Sequence, residues 1–180
     1  MNDSLKLNVG CGADSWGDIR LDIAKTPSAN IIGDAQFLPF KTNIFEETKA
    51  SHVLEHLENP SRALAELVRV TRKKIIIKFP IESDWKPLVI RELFSFPFSI
   101  KYFIFQFRPK LHKWIVNPNF VAEYLKQCGW KVKIYIGKFS ILGLLEGGRK
   151  AQHFKWLTKH IMIPFEYKIE AVKGENEHGY

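Results

Sequence analysis

Apolar and polar positions alternate along most of this chain in short runs, and the runs predict strands before any chemistry is considered. Leu5, Leu7 and Val9 alternate with Lys6 and Asn8 and then meet Gly10-Cys11-Gly12, so a strand over residues 5–9 ends in a turn that only small residues tolerate. The run IRLDI predicts a second strand over about 19–23, and Asn30 to Ile32 a third that leads into Gly33 and Asp34. FEETKASHVL, polar at its start and apolar at its end, reads as a fourth strand with Ser51 and His52 near its carboxyl end. KIIIKFP (74–80) reads as a fifth, whose β-branched run suits a parallel sheet covered on both faces. WKVKIYIG (130–137) and residues 164–172 supply a sixth and a seventh.

Helical spacing separates these runs in two places. From Pro60 to Arg72, Leu64, Leu67, Val68 and Thr71 fall on one side, with Arg62, Glu66 and Arg69 outside and a proline in the first turn. A second helix is entered at Asn117 to Asn119, carries Phe120, Val121, Tyr124 and Leu125, and ends at Gly129. Only about ten residues separate Gly12 from Asp22, too few for the helix that usually joins parallel strands, so the first crossover is expected to lack it and to leave one sheet face open. The Phe-rich stretch 94–107 reads as a lid or insertion, with Pro97 against one continuous helix. Residues 138–162 read as a Gly-rich turn and a basic helix, and 174–180 as a disordered tail.

Three strand ends carrying Gly, Asp and Asp in that order suit an adenosine. The glycines let a ligand approach the backbone, one carboxylate takes two ribose hydroxyls, and the other takes the adenine amine. LNVGCG, RLDI, GDAQFLPF and SHVLEHLENPSRALAELVRV, in this order, resemble the small class I S-adenosylmethionine-dependent methyltransferases of the type 11 kind, specifically over Leu5 to Pro80. The resemblance implies an α/β, Rossmann-like, doubly wound seven-stranded sheet, mostly parallel with one antiparallel strand, its first helix shortened or missing. At 180 residues, with no internal repeat or linker composition, the chain reads as one domain, with residues 1–80 as the cofactor half and 81–173 as the substrate or lid half. The resemblance also implies S-adenosyl-L-methionine held by Asn8, Gly10, Cys11, Gly12, Asp22, Ile23, Asp34, Ala35 and Ser51. Phe37, Leu38, Pro39 and Phe40 would wall the adenine. Glu82 to Trp85 would lie near the acceptor, and His112 answers to a residue often found on the active-site side. Asp14 stands where the family has a third glycine, and either meets the methionine ammonium or is a solvated turn residue.

His52-Val53-Leu54-Glu55-His56 also spells the inverted zinc-peptidase motif, which needs both histidines on one helical face. Here the motif follows a strand and precedes Asn59-Pro60-Ser61, a helix start, so that chemistry is disfavoured. In some O-methyltransferases resembling this type an ExxEH run binds a divalent metal, and His52 stands here in place of the first acid. No metal is expected; His52 is the candidate catalytic base, with Glu55 and His56 orienting the loop.

Composition adds a partner question. The net charge is +8, yet residues 1–99 hold 13 Lys/Arg and 13 Asp/Glu while residues 100–160 hold 12 against 2. A basic second half suits an anionic partner, whether a phosphorylated or carboxylated small molecule, a nucleic acid or an acidic membrane surface, or else an ordinary solvated surface, and the Phe-rich stretch suits an apolar or aromatic small-molecule acceptor, a membrane surface or a dimer contact. A nucleic-acid acceptor is supported by charge alone and lacks an NPPY-type motif after the fourth strand. A methyltransferase-like scaffold subunit, a homodimer, or a partner protein over the open face remain the alternatives. Cys11 and Cys128 read as reduced thiols. The amino terminus lacks the layout of a signal peptide and no run is long enough to span a membrane, so a cytoplasmic protein is expected.

Overall fold

Period-two alternation fixes which side of each strand faces the core, and the pairing registers then align those sides across the sheet. A computed structural model describes residues 4–81, 112–140 and 162–174. The strands are β1 (Lys6–Val9), β2 (Ile19–Asp22), β3 (Ile31–Ile32), β4 (Phe45–Ser51), β5 (Thr71–Pro80), β6 (Trp130–Ser140) and β7 (Met162–Lys173), with helices α1 (Pro60–Val70) and α2 (Pro118–Gln127). They form one sheet in the order β3-β2-β1-β4-β5-β7-β6. β7 runs antiparallel to β5 and β6, and every other pair is parallel. The expected seven-stranded, mostly parallel sheet is therefore present, and residues 10–18 join β1 to β2 without a helix.

Leu7 pairs with Thr48, Thr48 with Ile75 and Ile75 with Ala171; one step along, Val9, Ala50, Ile77 and Ile169 repeat the row. All eight are buried, and the buried side chains of α1 (Ala63, Leu64, Leu67, Val70) and α2 (Val121, Leu125) join the same cluster. Both described helices thus pack on one face.

The opposite face carries Lys6, Glu47, Lys49, Lys74, Lys78, Glu166, Lys168 and Glu170, and it is tied by ion pairs. Glu47 lies 4.0 Å from Lys6 and 3.6 Å from Lys74, and Lys78 lies 3.1 Å from Glu166. β5 buries Ile75, Ile77 and Phe79 on the helix-covered side, while Lys74, Ile76 and Lys78 lie half-buried on the other.

Asn59 caps α1 by accepting the Arg62 N–H at 3.0 Å, with Pro60 in the first turn. The helix stops at Val70, two residues before Arg72, because Thr71 already pairs with Phe45 as a strand residue. Its buried hydroxyl lies 2.6 Å from both the Leu67 carbonyl and the Thr48 hydroxyl, so helix passes into strand with no loop between. Asn117 caps α2 and Gly129, at φ +83°, ends it; Phe120 faces outward rather than into the core, at 60 % exposure. β6 and β7 run longer than the sequence pattern suggests, with an irregularity at Gly137/Lys138. The expectations for Glu82 to Trp85, for residues 94–107, for residues 141–161 and for the tail beyond Gly174 lie outside the described residues. Among the described residues no helix is long and apolar enough to cross a membrane.

One polar cluster locks the β3–β4 connection onto α1. Arg69 donates to the carbonyls of Phe40 (2.7 Å) and Leu38 (3.0 Å) and to both oxygens of Glu66, while Glu66 Oε2 accepts the Leu38 N–H at 2.8 Å. The Arg69 guanidinium holds the Glu66 carboxyl below the usual carboxylate range. A depressed folded-state pKa means stability that is present above the ordinary value and lost as pH falls through the depressed one. Glu66→Gln should cost on the order of 1–3 kcal/mol at pH 7. Urea melts should show its gap from wild type closing as pH falls below about 4.3.

Candidate active site

The carboxyl ends of β1 to β4 lie side by side at one rim of the sheet, and the turns leaving them carry most of the residues singled out by the sequence. Gly10 and Gly12 have φ of +64° and +53°, a region that costs an L side chain energy. The N–H groups of Gly10 and Cys11 both donate to the Leu21 carbonyl, at 2.8 and 3.2 Å, which pulls the turn across the end of β2. The two glycines then differ. A Cβ on Gly10 would stand 2.4 Å from Val53 Cγ2, so Gly10 is demanded by packing within the protein. A Cβ on Gly12 would meet nothing within 4 Å, so its bare backbone faces open space.

Asp22, at the end of β2, accepts the Gly12 N–H at 2.8 Å on one oxygen and the Ala24 N–H at 3.2 Å on the other. Each oxygen retains acceptor capacity. Ile23 beside it is a large apolar side chain left 72 % exposed. The Gly33 N–H bonds to the Asp22 carbonyl at 2.9 Å and so sets Asp34 at the neighbouring rim position. Gln36 donates its N–H to Asp34 Oδ1 at 2.8 Å and its side-chain amide to both carboxylate oxygens, at 3.2 and 3.1 Å. Its Oε1 accepts the Asn59 N–H at 2.8 Å, which ties the β3 turn to the cap of α1. Gln36 was not foreseen from the sequence, although a side chain two residues past an Asp is well placed to close on it.

The remaining rim residues divide between core and surface. Ala35 and Cys11 are buried, and Cys11 Sγ lies 3.7 Å from Thr26 Oγ1, so Cys11 offers the rim only its backbone. Asn8 is buried and donates to the Asp14 carbonyl at 3.3 Å. The Asp14 carboxylate pairs with Lys49 and accepts the Trp16 N–H at 3.0 Å, and the Lys49 contact foremost holds it below the usual range. That is the geometry of an anchored turn residue. Of the four residues expected to wall a ring, Leu38 lies in the core and Phe40 packs edge-on against Phe45. Phe37 is exposed, with the Arg62 guanidinium 3.9 Å from its ring centre.

Ser51 ends β4, half-buried, and His52 follows in the left-handed region at φ +56° with its N–H on the Lys78 carbonyl at 2.8 Å. The imidazole stands between two carboxylates, Nδ1 at 3.3 Å from Glu55 Oε1 and Nε2 at 3.4 Å from Glu166 Oε2. Glu55 first and Glu166 second raise its pKa against the opposing effect of burial. Glu166 comes from β7, across the pairing with Pro80, and no local motif announces it. Leu54 to His56 form a single 3-10 turn, so His52 and His56 share no helix and the peptidase geometry is absent. The Glu55 carbonyl accepts the N–H groups of Lys113 and Trp114, at 2.8 and 3.2 Å, bringing His112 against His56 with ring centres 4.7 Å apart. Next to this turn a cleft of about 610 Å³ opens between the first turns of α1 and α2, lined among others by Leu54, Asn59, Leu64, Trp114 and Val121.

Residues 18–77 match the family model described as Methyltransferase domain. No curated protein matches the sequence. Solved structures do resemble the fold. An S-adenosylmethionine-dependent methyltransferase from Archaeoglobus fulgidus has a TM-score of 0.59 at 20 % identity, over 96 % of this chain and 87 % of that one. The YcgJ protein from Bacillus subtilis has 0.58 at 14 %, over 97 % and 94 %. Magnesium protoporphyrin IX methyltransferase from Synechocystis PCC 6803, with bound S-adenosylhomocysteine, has 0.54 at 14 %, over 95 % and 74 %.

The contrast between the glycines is open to test by thermal and urea melts. Gly10→Ala should destabilise the protein by about 2–5 kcal/mol, the sum of overpacking and left-handed backbone strain. Gly12→Ala should cost only about 1–2 kcal/mol, since strain acts there without a clash.

Proposed function

We propose, from the premise that this chain has the fold of a class I methyltransferase and matches the Methyltransferase domain model over residues 18–77, that it transfers a methyl group from S-adenosylmethionine to a small-molecule acceptor. The observation that carries the reading is the pairing of Gly12 with Asp22. A carboxylate fixed by a backbone N–H at 2.8 Å sits beside a glycine whose missing side chain leaves open space. The residues present fit the cofactor. Gly12 gives its methionine part close approach to the backbone, Asp22 has lone pairs left for two ribose hydroxyls, and exposed Ile23 offers an apolar face to adenine. Asp34 and Ala35 flank the adenine edge, with Gln36 holding the Asp34 carboxylate in place. Asn8, Gly10, Cys11 and Ser51 shape the floor of the site through packing and backbone.

When bound, the cofactor supplies a sulfonium methyl open to in-line attack by an acceptor lone pair. The protein's share is to hold the acceptor in line, exclude water and manage its proton. His52 is the residue we assign to the acceptor side. It stands at the carboxyl end of the central strand, where ligands bind in open α/β sheets, and Glu55 and Glu166 hold its ring from both nitrogens. The acceptor we expect is anionic or aromatic. The basic second half of the chain supports this, as do exposed Trp114, Ile115 and Phe120 around the neighbouring cleft.

Calorimetric titration with S-adenosylmethionine and S-adenosylhomocysteine tests the reading. Wild type should bind in the micromolar range, and Asp22→Ala should weaken binding by at least about tenfold, the loss of one to two hydrogen bonds to a charged group. Gly12→Ala should remain folded and lose affinity. No heat at millimolar ligand would overturn the proposal.

A further inference from the structure

Glu166 of β7 stands beside the carboxyl end of β5, opposite Pro80 on one side and Gly137 of β6 on the other. Its carboxylate is divided between two donors. Lys78 Nζ donates to Oε1 at 3.1 Å, and His52 Nε2 faces Oε2 at 3.4 Å. Gly137 makes that placement possible. A Cβ there would stand 2.6 Å from Glu166 Cγ and 3.2 Å from Oε1, and the β6–β7 register breaks at the same point, between Gly137 and Lys138. Such irregularities re-aim side chains beside active sites.

The two donors are held ready by other parts of the chain. Glu55, only 1 % exposed, meets His52 Nδ1 at 3.3 Å and so turns Nε2 toward Glu166. Glu55 foremost raises the His52 pKa, which keeps protons on both ring nitrogens to higher pH. Lys78 extends from the strand position paired with Ser51, immediately before His52. An ammonium and an imidazole N–H, offered to one oxygen each, form the donor pair that recognises a carboxylate. With side-chain exposures of 31 % for Lys78 and 45 % for His52, both can be reached from solvent.

We propose that Lys78 and His52 form a binding site for a carboxylate of the acceptor, and that Glu166 occupies this site until the acceptor displaces it. The inference rests on the methyltransferase reading and narrows the acceptor class to molecules that carry a carboxylate. His52 then works as a hydrogen-bond donor that orients the acceptor, in place of the base suggested by the sequence. The excess of 12 Lys/Arg over 2 Asp/Glu in residues 100–160 favours the approach of such an anion.

The test follows the His52 ring by NMR in the full chain, with sodium acetate as the probe. In wild type the site is filled, so acetate should leave the His52 titration midpoint unchanged. Glu166→Ala and Glu166→Ser, each checked for folding by circular dichroism, should lower that midpoint. Acetate should then raise it again, saturably and in the millimolar range, as two charge-assisted hydrogen bonds allow. Adding Lys78→Gln to either variant should weaken acetate by at least about tenfold, the loss of one such bond. Methylammonium chloride at equal ionic strength should have no effect. The site is overturned by a midpoint indifferent to Glu166, by acetate that acts no better than chloride or equally well in wild type, or by acetate binding that survives Lys78→Gln. Calorimetric titration of S-adenosylmethionine into the same wild-type sample separates the two readings. Cofactor binding without acetate rescue sinks the carboxylate site alone, and acetate rescue without cofactor binding sinks the methyltransferase reading alone.

Discussion

Residues 10–18 must carry the chain from the end of β1 back to the start of a parallel neighbour, and this short return governs the rest of the structure. At about 3.3–3.6 Å per residue such a segment can retrace a four-residue strand only if it hugs the sheet and turns sharply. The sequence meets the demand with Gly10, Gly12 and Gly17, all at positive φ, and with anchors at both ends. Lys6 and Asp18 exchange two backbone-side hydrogen bonds, at 2.9 and 3.0 Å, and Arg20 reaches the Gly17 carbonyl at 2.9 Å. A tight return leaves no room for a helix over β1 and β2. Among the described residues no helix covers that side, and the strands carry lysines and glutamates there.

Much of this was legible in the sequence because the signals are local. Alternation in LKLNV and WKVKIYIG, the Asn-Pro starts of both helices, and the short spacing from Gly12 to Asp22 each report on a few consecutive residues. The fold they imply appears with shifts of a few residues. The shift at Thr71 arose because a β-branched residue at the end of a helical pattern can satisfy either element. Pairing with Phe45, far away in sequence, decided it.

The candidate site was half legible for the same reason. Glycines and acids at strand ends announce themselves, and the structure brings Gly12 and Asp22 into contact. Glu166 on His52, Gln36 on Asp34 and the approach of His112 to Glu55 depend on tertiary pairing, which no periodicity encodes. Phe37, Leu38 and Phe40 show the converse: one apolar run divides between surface and core according to the Arg69 and Glu66 bonds that fix its backbone.

The two margins of the sheet are unequal. β3 contributes two residues to one margin, and β6 contributes eleven to the other among the described strands. A two-residue margin offers too few free backbone groups to template a further strand. An eleven-residue margin bearing Ile134, Tyr135 and Ile136 at 39–52 % exposure offers a full row. Lys131 and Lys133 on that row repel an identical copy arriving side by side, and work as gatekeepers against cross-β stacking. Among the described strands, the resistance of this margin to edge-to-edge pairing therefore falls to those two lysines of β6.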